Sequence, residues 1–101
     1  MATIKTTSEF EAWLRSLTHR ARSKVLNRMR HMECGNVGDC RPVGNGVSES
    51  RIHYGPGYRL YFLRSGEAIH ALLIGGSKAT QTADIRKAQA MAKKIKKGGA
   101  S

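Results

Sequence analysis

The stretch Ser48–Leu63, SESRIHYGPGYRLYFL, decides how the rest of the chain is arranged. Gly55, Pro56 and Gly57 form a turn signal between two runs of alternating polar and apolar residues, so the stretch reads as a β-hairpin. If these three residues close the loop, Tyr54 pairs with Tyr58, Ile52 with Leu60 and His53 with Arg59. Arg51 then faces Tyr61, and Glu49 faces Leu63. Successive side chains on a strand point to opposite sides. Ile52, Tyr54, Tyr58, Leu60 and Phe62 therefore share a core face, while Glu49, Arg51, His53, Arg59 and Tyr61 share the other. Like charges opposed across a strand pair destabilise it, so a face that keeps Arg51 beside Arg59 calls for an anion bound by the folded protein. A salt-bridge lattice around Glu49 is the competing reading. His70 joins the cluster only if Ser65-Gly66 is a two-residue turn, because a one-residue slip moves it to the core face.

Working outward, strands are expected at Val47–Tyr54, Tyr58–Leu63 and Ala68–Ile74, with Gly75-Gly76 breaking the last. A helix follows from about Thr80, with Ile85, Ala88, Met91 or Ala92, and Ile95 turned inward. It runs into KKIKKGGAS, a basic tail that frays. Upstream, GNVGDCRPVGNGV is turn-rich and holds Pro42, so it reads as loop with at most a short edge strand. Near the N-terminus a strand at Ala2–Lys5 precedes a helix whose start is marked by Ser8 and Glu11 as a capping box. Phe10, Trp13, Leu14 and Leu17 form its apolar stripe. Thr18 caps a second helix to about Met32, with Ala21, Val25, Met29 and Met32 buried. Arg20, Lys24, Arg28 and His31 line another face with little acidic interruption, which makes them candidate RNA contacts. Gly35 and Asn36 stop this helix. The spacing predicts one domain over residues 1–97 and a flexible tail over 98–101.

Charge narrows the partners. The 101 residues carry 18 Lys and Arg against 7 Asp and Glu, a formal net charge of +11. A small domain this basic meets a polyanion such as RNA, DNA or an anionic membrane surface, or else an acidic protein. No apolar run reaches the roughly 18–20 residues that span a bilayer, and MATIKTTSEF is no signal peptide, so a cytoplasmic location is expected. Cys34 and Cys40 should then be reduced thiols. Their spacing fits no zinc pattern, and no metal site is expected.

The polar hairpin face suits metal-independent RNA cleavage, in which the substrate's own 2′-hydroxyl is the nucleophile. Glu49 could serve as general base or orient the arginines. Arg51 and Arg59 could clamp the phosphate with charge-assisted bonds that strengthen as charge develops. Tyr61 could stack on a base or assist proton transfer, and Lys78 could reach the same anion.

Three stretches carry a family resemblance: TSEFEAWLRSL, GNVGDCRPVGNGVSESRIHYGPGYRLYF and LLIGGSKATQTADI. Together they resemble the RelE/HigB-like addiction-module killer proteins, toxins of type II toxin–antitoxin systems in the RelE/ParE superfamily, over about residues 3–95. The resemblance implies an α+β fold, a RelE-like domain with two N-terminal helices packed on a small, mainly antiparallel sheet and a C-terminal helix. It also implies an mRNA interferase: an endoribonuclease without a cofactor that cuts mRNA on the ribosome. A cognate antitoxin, often a small helix-turn-helix protein, would neutralise it. On the family's pattern Glu49, Arg51, Arg59, Tyr61 and Lys78 match motif positions. Several of those toxins use a His or Tyr near the C-terminus, and this chain has neither after His70. The proton donor then falls to His53 or Tyr61. Ser50 stands where an apolar residue is usual, and Ser77 where Asp commonly precedes the Lys. A degenerate toxin that binds RNA, the ribosome or an antitoxin without cutting is the other reading.

Overall fold

A computed structural model describes residues 4–65 and 68–98. The chain runs β1 (Lys5–Thr6), α1 (Ser8–Ser16), α2 (His19–Glu33), β2 (Asp39–Gly44), β3 (Val47–Ile52), β4 (Tyr58–Ser65), β5 (Ala68–Ser77) and α3 (Gln81–Gly98), with a single 3-10 turn at Lys78–Thr80. The strands form one five-stranded sheet in the order β1-β5-β4-β3-β2. β1 runs parallel to β5 and the other pairs are antiparallel. This is an α+β domain with helices on both faces of a mixed sheet. Among the described residues no helix is long and apolar enough to cross a membrane. The expected tail over 98–101 and the Gly66 half of the expected turn lie at or beyond the edge of the described residues, as does most of the expected Ala2–Lys5 strand.

Two cores result, one on each face. Phe10 and Leu14 of α1 and Val25 and Met32 of α2 pack against Ile52, Leu60, Phe62 and Leu72. On the other face Ala88 and Ala92 of α3 lie on Val47, Tyr61, Leu63, Leu73 and Ile74. Phe10, Leu60, Phe62 and Leu72 are fully buried, and each such side chain contributes about 1.5–3 kcal/mol relative to exposure. The inward residues of α3 are thus Ala88 and Ala92, with Ile85 and Met91 at the margin. Ile95, expected inward, is 37% exposed. Small residues on the α3 seam let the helix sit close to the sheet.

The helix ends follow local chemistry. Thr7, not Ser8, caps α1: its hydroxyl accepts from the Phe10 N–H at 3.0 Å. Glu11 takes a hydrogen bond from Thr6 Oγ1 at 2.6 Å, so the capping box expected at Ser8 is absent. Thr18 caps α2 as expected, accepting from the Ala21 N–H. At the far end Gly35 adopts φ +89°, and the Gly35 and Asn36 N–H groups donate to the Met32 and His31 carbonyls. That is a Schellman stop, which satisfies two carbonyls the helix leaves open.

Gly75-Gly76 does not break β5, which continues to Ser77. The glycines are there for approach instead. A Cβ on Gly75 would fall within the Trp13 indole, and one on Gly76 would meet the Asp84 carboxylate. Trp13 and Asp84 belong to helices on opposite faces, so the pair lets α1 and α3 both close on one strand. Gly75→Ala is accordingly expected to cost about 1–3 kcal/mol as an overpacked core change. Urea unfolding checks it, with the midpoint falling and the slope unchanged.

The hairpin register also differs from the expected one. Ile52 pairs with Tyr58, Arg51 with Arg59 and Glu49 with Tyr61. The loop is five residues, His53–Gly57, because the Tyr54 N–H donates to the Ile52 carbonyl and the Gly57 N–H to the Tyr54 carbonyl. Both Gly55 and Gly57 take positive φ, which lets a wider turn close. The shift relative to the expected pairing is two residues, so the faces of the strand residues are preserved. His53 and Tyr54, however, leave the strand for the loop.

Candidate functional site

Two rungs of the sheet, on the face that α3 covers in part, hold the polar hairpin residues. The inner rung runs Arg41–Glu49–Tyr61 across β2, β3 and β4. Its centre is Glu49, whose side chain is fully buried. Arg41 Nε donates to Oε1 at 3.1 Å. The Tyr61 hydroxyl donates to Oε2 at 3.1 Å, and Gln81 Nε2, from the first turn of α3, donates to the same oxygen at 2.9 Å. Arg59 Nε stands 3.7 Å from Oε2, an ion pair rather than a hydrogen bond. Burial by itself would push the Glu49 carboxyl up; the hydrogen bonds from Gln81, Arg41 and Tyr61 outweigh it and hold the group below its ordinary value.

That direction sets a pH dependence. A carboxylate whose folded value is lowered adds stability that is fully present above its unfolded value, near 4.5, and lost as pH falls through the folded value. The urea midpoint is therefore expected to hold from pH 7 to about 5 and to drop below about 4.5, and Glu49→Gln should flatten much of that drop.

Tyr61 is fully buried. Burial foremost, and the neighbouring Glu49 carboxylate next, push its phenol well above the ordinary tyrosine range. It donates its proton inward to Glu49 and neither stacks on nor reaches an outside molecule. Glu49 is equally sealed. The sequence expectation that these two share an open catalytic face is corrected here: α3 covers them, and they form the polar base on which the outer rung rests.

The outer rung runs Asp39–Arg51–Arg59–Gly76, and at its Gly76 end the Asp84 carboxylate of α3 comes close. Register sets Arg51 beside Arg59. Arg59 is 8% exposed, and its Nη1 donates to the Gly57 carbonyl at 2.8 Å. Arg51 Nη2 donates to Asp39 Oδ1 at 3.1 Å. The Nε atoms of both arginines are buried and have no hydrogen-bond partner among the described residues. Arg59 Nε faces the Glu49 carboxylate at 3.7 Å, and the two adjacent guanidinium groups concentrate positive charge at this end of the sheet. Lys78 flanks it. A Cβ on Gly57 would stand 3.3 Å from Arg59 Nη1 and 3.7 Å from Lys78 Cβ, so Gly57 lies between the Arg59 guanidinium and the base of the Lys78 side chain. The Lys78 N–H donates to the Pro56 carbonyl, tying the start of the 3-10 turn to the hairpin loop.

His53 is not opposite Arg59. It sits in the loop with its side chain 75% exposed, and Nε2 lies 2.8 Å from Asp39 Oδ2. Hydrogen bonds from His53, then Arg51, hold the Asp39 carboxyl below its ordinary value. His70 is at the other end of the sheet, in a groove between Lys5, Leu63, Ala71 and Ile95, so it does not join the cluster.

The α2 cations divide. Arg20, Lys24 and His31 are exposed, and Lys24 Nζ lies 5.2 Å from the centre of the Tyr54 ring. Arg28 turns inward. Its Nη1 donates to Ser50 Oγ at 2.7 Å and to the Arg51 carbonyl at 2.9 Å. Ser50 Oγ in turn donates to the Val37 carbonyl. Arg28 thus braces the back of the strand that carries Arg51, and it is corrected from RNA contact to strut. Ser50, in an apolar position by the family resemblance, is buried but fully paired. Cys34 and Cys40 are free thiols.

Arg41, Gln81 and Asp39 are the participants that sequence reasoning missed. Taking GNVGDCRPVGNGV as loop hid Arg41 and Asp39; as a six-residue edge strand, β2 sets them directly opposite Glu49 and Arg51. Gln81 lay within the GGSKATQTADI stretch, with nothing local to aim it at Glu49.

A protein of Haemophilus influenzae, itself uncharacterized, is 40% identical over 93 residues, covering 91% of this chain and 94% of its own length. The chain belongs to that protein's family. No family model matches the sequence, and no solved structure matches it. The aligned span covers almost the whole chain.

Proposed function

We propose that this chain is the toxin of a type II toxin–antitoxin system, a RelE/HigB-like mRNA interferase that cuts mRNA held on the ribosome. In this reading it acts in the cytoplasm and is neutralised by a cognate antitoxin of the helix-turn-helix kind. The observation that carries the proposal is the outer rung. Arg51 and Arg59 lie side by side on one rung of the sheet, and Lys78 stands across Gly57 from Arg59. Such a row fits a phosphodiester, whose added charge in the phosphorane the two guanidinium groups would neutralise. Glu49 and Tyr61 would not touch RNA; they hold Arg59 in place from beneath. The net charge of +11 and the exposed Arg20, Lys24 and His31 on α2 support contact with a large polyanion. An α+β domain with a five-stranded mixed sheet and three helices is the coarse architecture that this reading needs.

The test is cleavage on programmed ribosomes. Purified protein is expected to cut the mRNA and leave 2′,3′-cyclic phosphate and 5′-hydroxyl ends, with no divalent metal beyond what the ribosome requires. Intact mRNA at saturating protein would refute the nuclease.

The sealing of Glu49 and Tyr61 favours a second reading: a non-catalytic protein that occupies RNA or the ribosome. It predicts binding that weakens steeply with salt as phosphate contacts are screened, and transcripts that stay whole.

A further inference from the structure

The geometry points to His53 as the group that protonates the leaving 5′-oxygen, with Asp39 as the positioning residue that bonds both its ring and Arg51. This rests on the nuclease reading and supplies the proton donor that it lacks. Two side chains compete for the role on sequence grounds, and only one can reach a substrate. Tyr61 is fully buried and gives its proton to Glu49. His53 is 75% exposed, on the loop next to the rung. Of the four histidines, it is the one whose ring meets a carboxylate among the described residues, at 2.8 Å.

The Asp39 carboxylate is shared. Oδ2 holds His53 Nε2, and Oδ1 holds Arg51 Nη2 at 3.1 Å. One group therefore fixes the imidazole and a phosphate-clamping guanidinium relative to each other. With Nε2 hydrogen-bonded to Asp39, the tautomer and ring plane are set. Nδ1 has no partner among the described residues and is left for the substrate. The step balances as follows. The 2′-oxygen bonds to phosphorus while the bond from phosphorus to the 5′-oxygen breaks. The 2′-hydroxyl proton passes to water, and the Nδ1 proton of the imidazolium passes to the departing 5′-oxygen. The products are a 2′,3′-cyclic phosphate and a 5′-hydroxyl, and the imidazole regains its proton from solvent.

A sulfur substitution separates acid catalysis from mere placement. A synthetic mRNA on programmed ribosomes carries either the natural 5′-oxygen or a bridging 5′-sulfur at the bond that wild type cuts. A thiolate departs without a proton, because thiols are far more acidic than alcohols. His53→Gln is expected to slow cleavage of the oxygen substrate by about 10²–10³-fold and to cut the sulfur substrate at nearly the wild-type rate. Asp39→Asn should also slow the oxygen substrate, with a smaller loss on the sulfur substrate because Asp39 holds Arg51 as well. Arg59→Ala should be slow on both, since it removes charge stabilisation rather than a proton. Circular dichroism and thermal unfolding of His53→Gln are expected to match wild type, the side chain being exposed. If His53→Gln cuts the oxygen substrate at the wild-type rate, or is equally impaired on both, His53 is not the acid. Full activity of Asp39→Asn on the oxygen substrate would remove Asp39 from the mechanism. If wild type cuts neither substrate, the nuclease reading itself falls, and this assignment with it.

Discussion

Glu49→Ala is expected to lower the free energy of unfolding by about 3–5 kcal/mol, the cost of breaking a buried ion pair by removing one partner. The loss is large because the carboxylate has four partners rather than one. Without it Arg59, 8% exposed, loses the carboxylate it is ion-paired with. The Tyr61 hydroxyl loses its acceptor at a fully buried position, and Gln81 loses the bond that ties the first turn of α3 to the sheet. Arg41, at 50% side-chain exposure, turns to solvent at little cost. Against a typical domain stability of about 5–15 kcal/mol, the change is a substantial part of the whole. Urea unfolding at pH 7 measures it. A difference under about 1 kcal/mol, the range of a surface pair, would show that the inner rung is not the support described here.

Arg59→Ala is expected to reduce the rate of mRNA cleavage by about 10²–10³-fold, the usual effect of removing one preorganised donor from a developing oxyanion. Arg59 is held on two sides, by the Gly57 carbonyl at Nη1 and by Glu49 near Nε, so its fork does not have to be ordered when substrate arrives. Lys in its place would keep the charge but not that geometry; Arg59→Lys is expected to recover only part of the rate. The fold should survive either change, because Glu49 keeps its bonds from Arg41, Tyr61 and Gln81. Rates from wild type, Arg59→Ala and Arg59→Lys on programmed ribosomes, with melting curves for each, decide the matter. Equal rates would remove Arg59 from the chemistry.

The faces of the hairpin were legible in the sequence for a physical reason. Alternation has a period of two, and the error in register was also two, so Glu49, Arg51, Arg59 and Tyr61 stayed together even though their partners changed. The register itself was not legible. It depends on hydrogen bonds inside the loop, from Tyr54 to Ile52 and from Gly57 to Tyr54, which Gly-Pro-Gly does not specify. The α2 boundaries could be read because Thr18 and Gly35 act locally. By contrast, α3 revealed its apolar seam but not which face of the sheet it would cover, and that choice turned Glu49 and Tyr61 from open candidates into a buried base. Arg28 shows the same limit from the other side. Its helical spacing placed it among solvent-facing cations, and only the buried Ser50 hydroxyl and the Arg51 carbonyl explain why it points inward.

Mapping mRNA 5′ ends after brief induction of wild type and of Arg59→Ala, at matched protein levels, tests RNA cleavage by the outer rung most directly. Wild type is expected to produce new 5′-hydroxyl ends inside translated reading frames within minutes, and Arg59→Ala is expected to produce almost none. The same new ends in both strains, or none in wild type above the uninduced background, would contradict it.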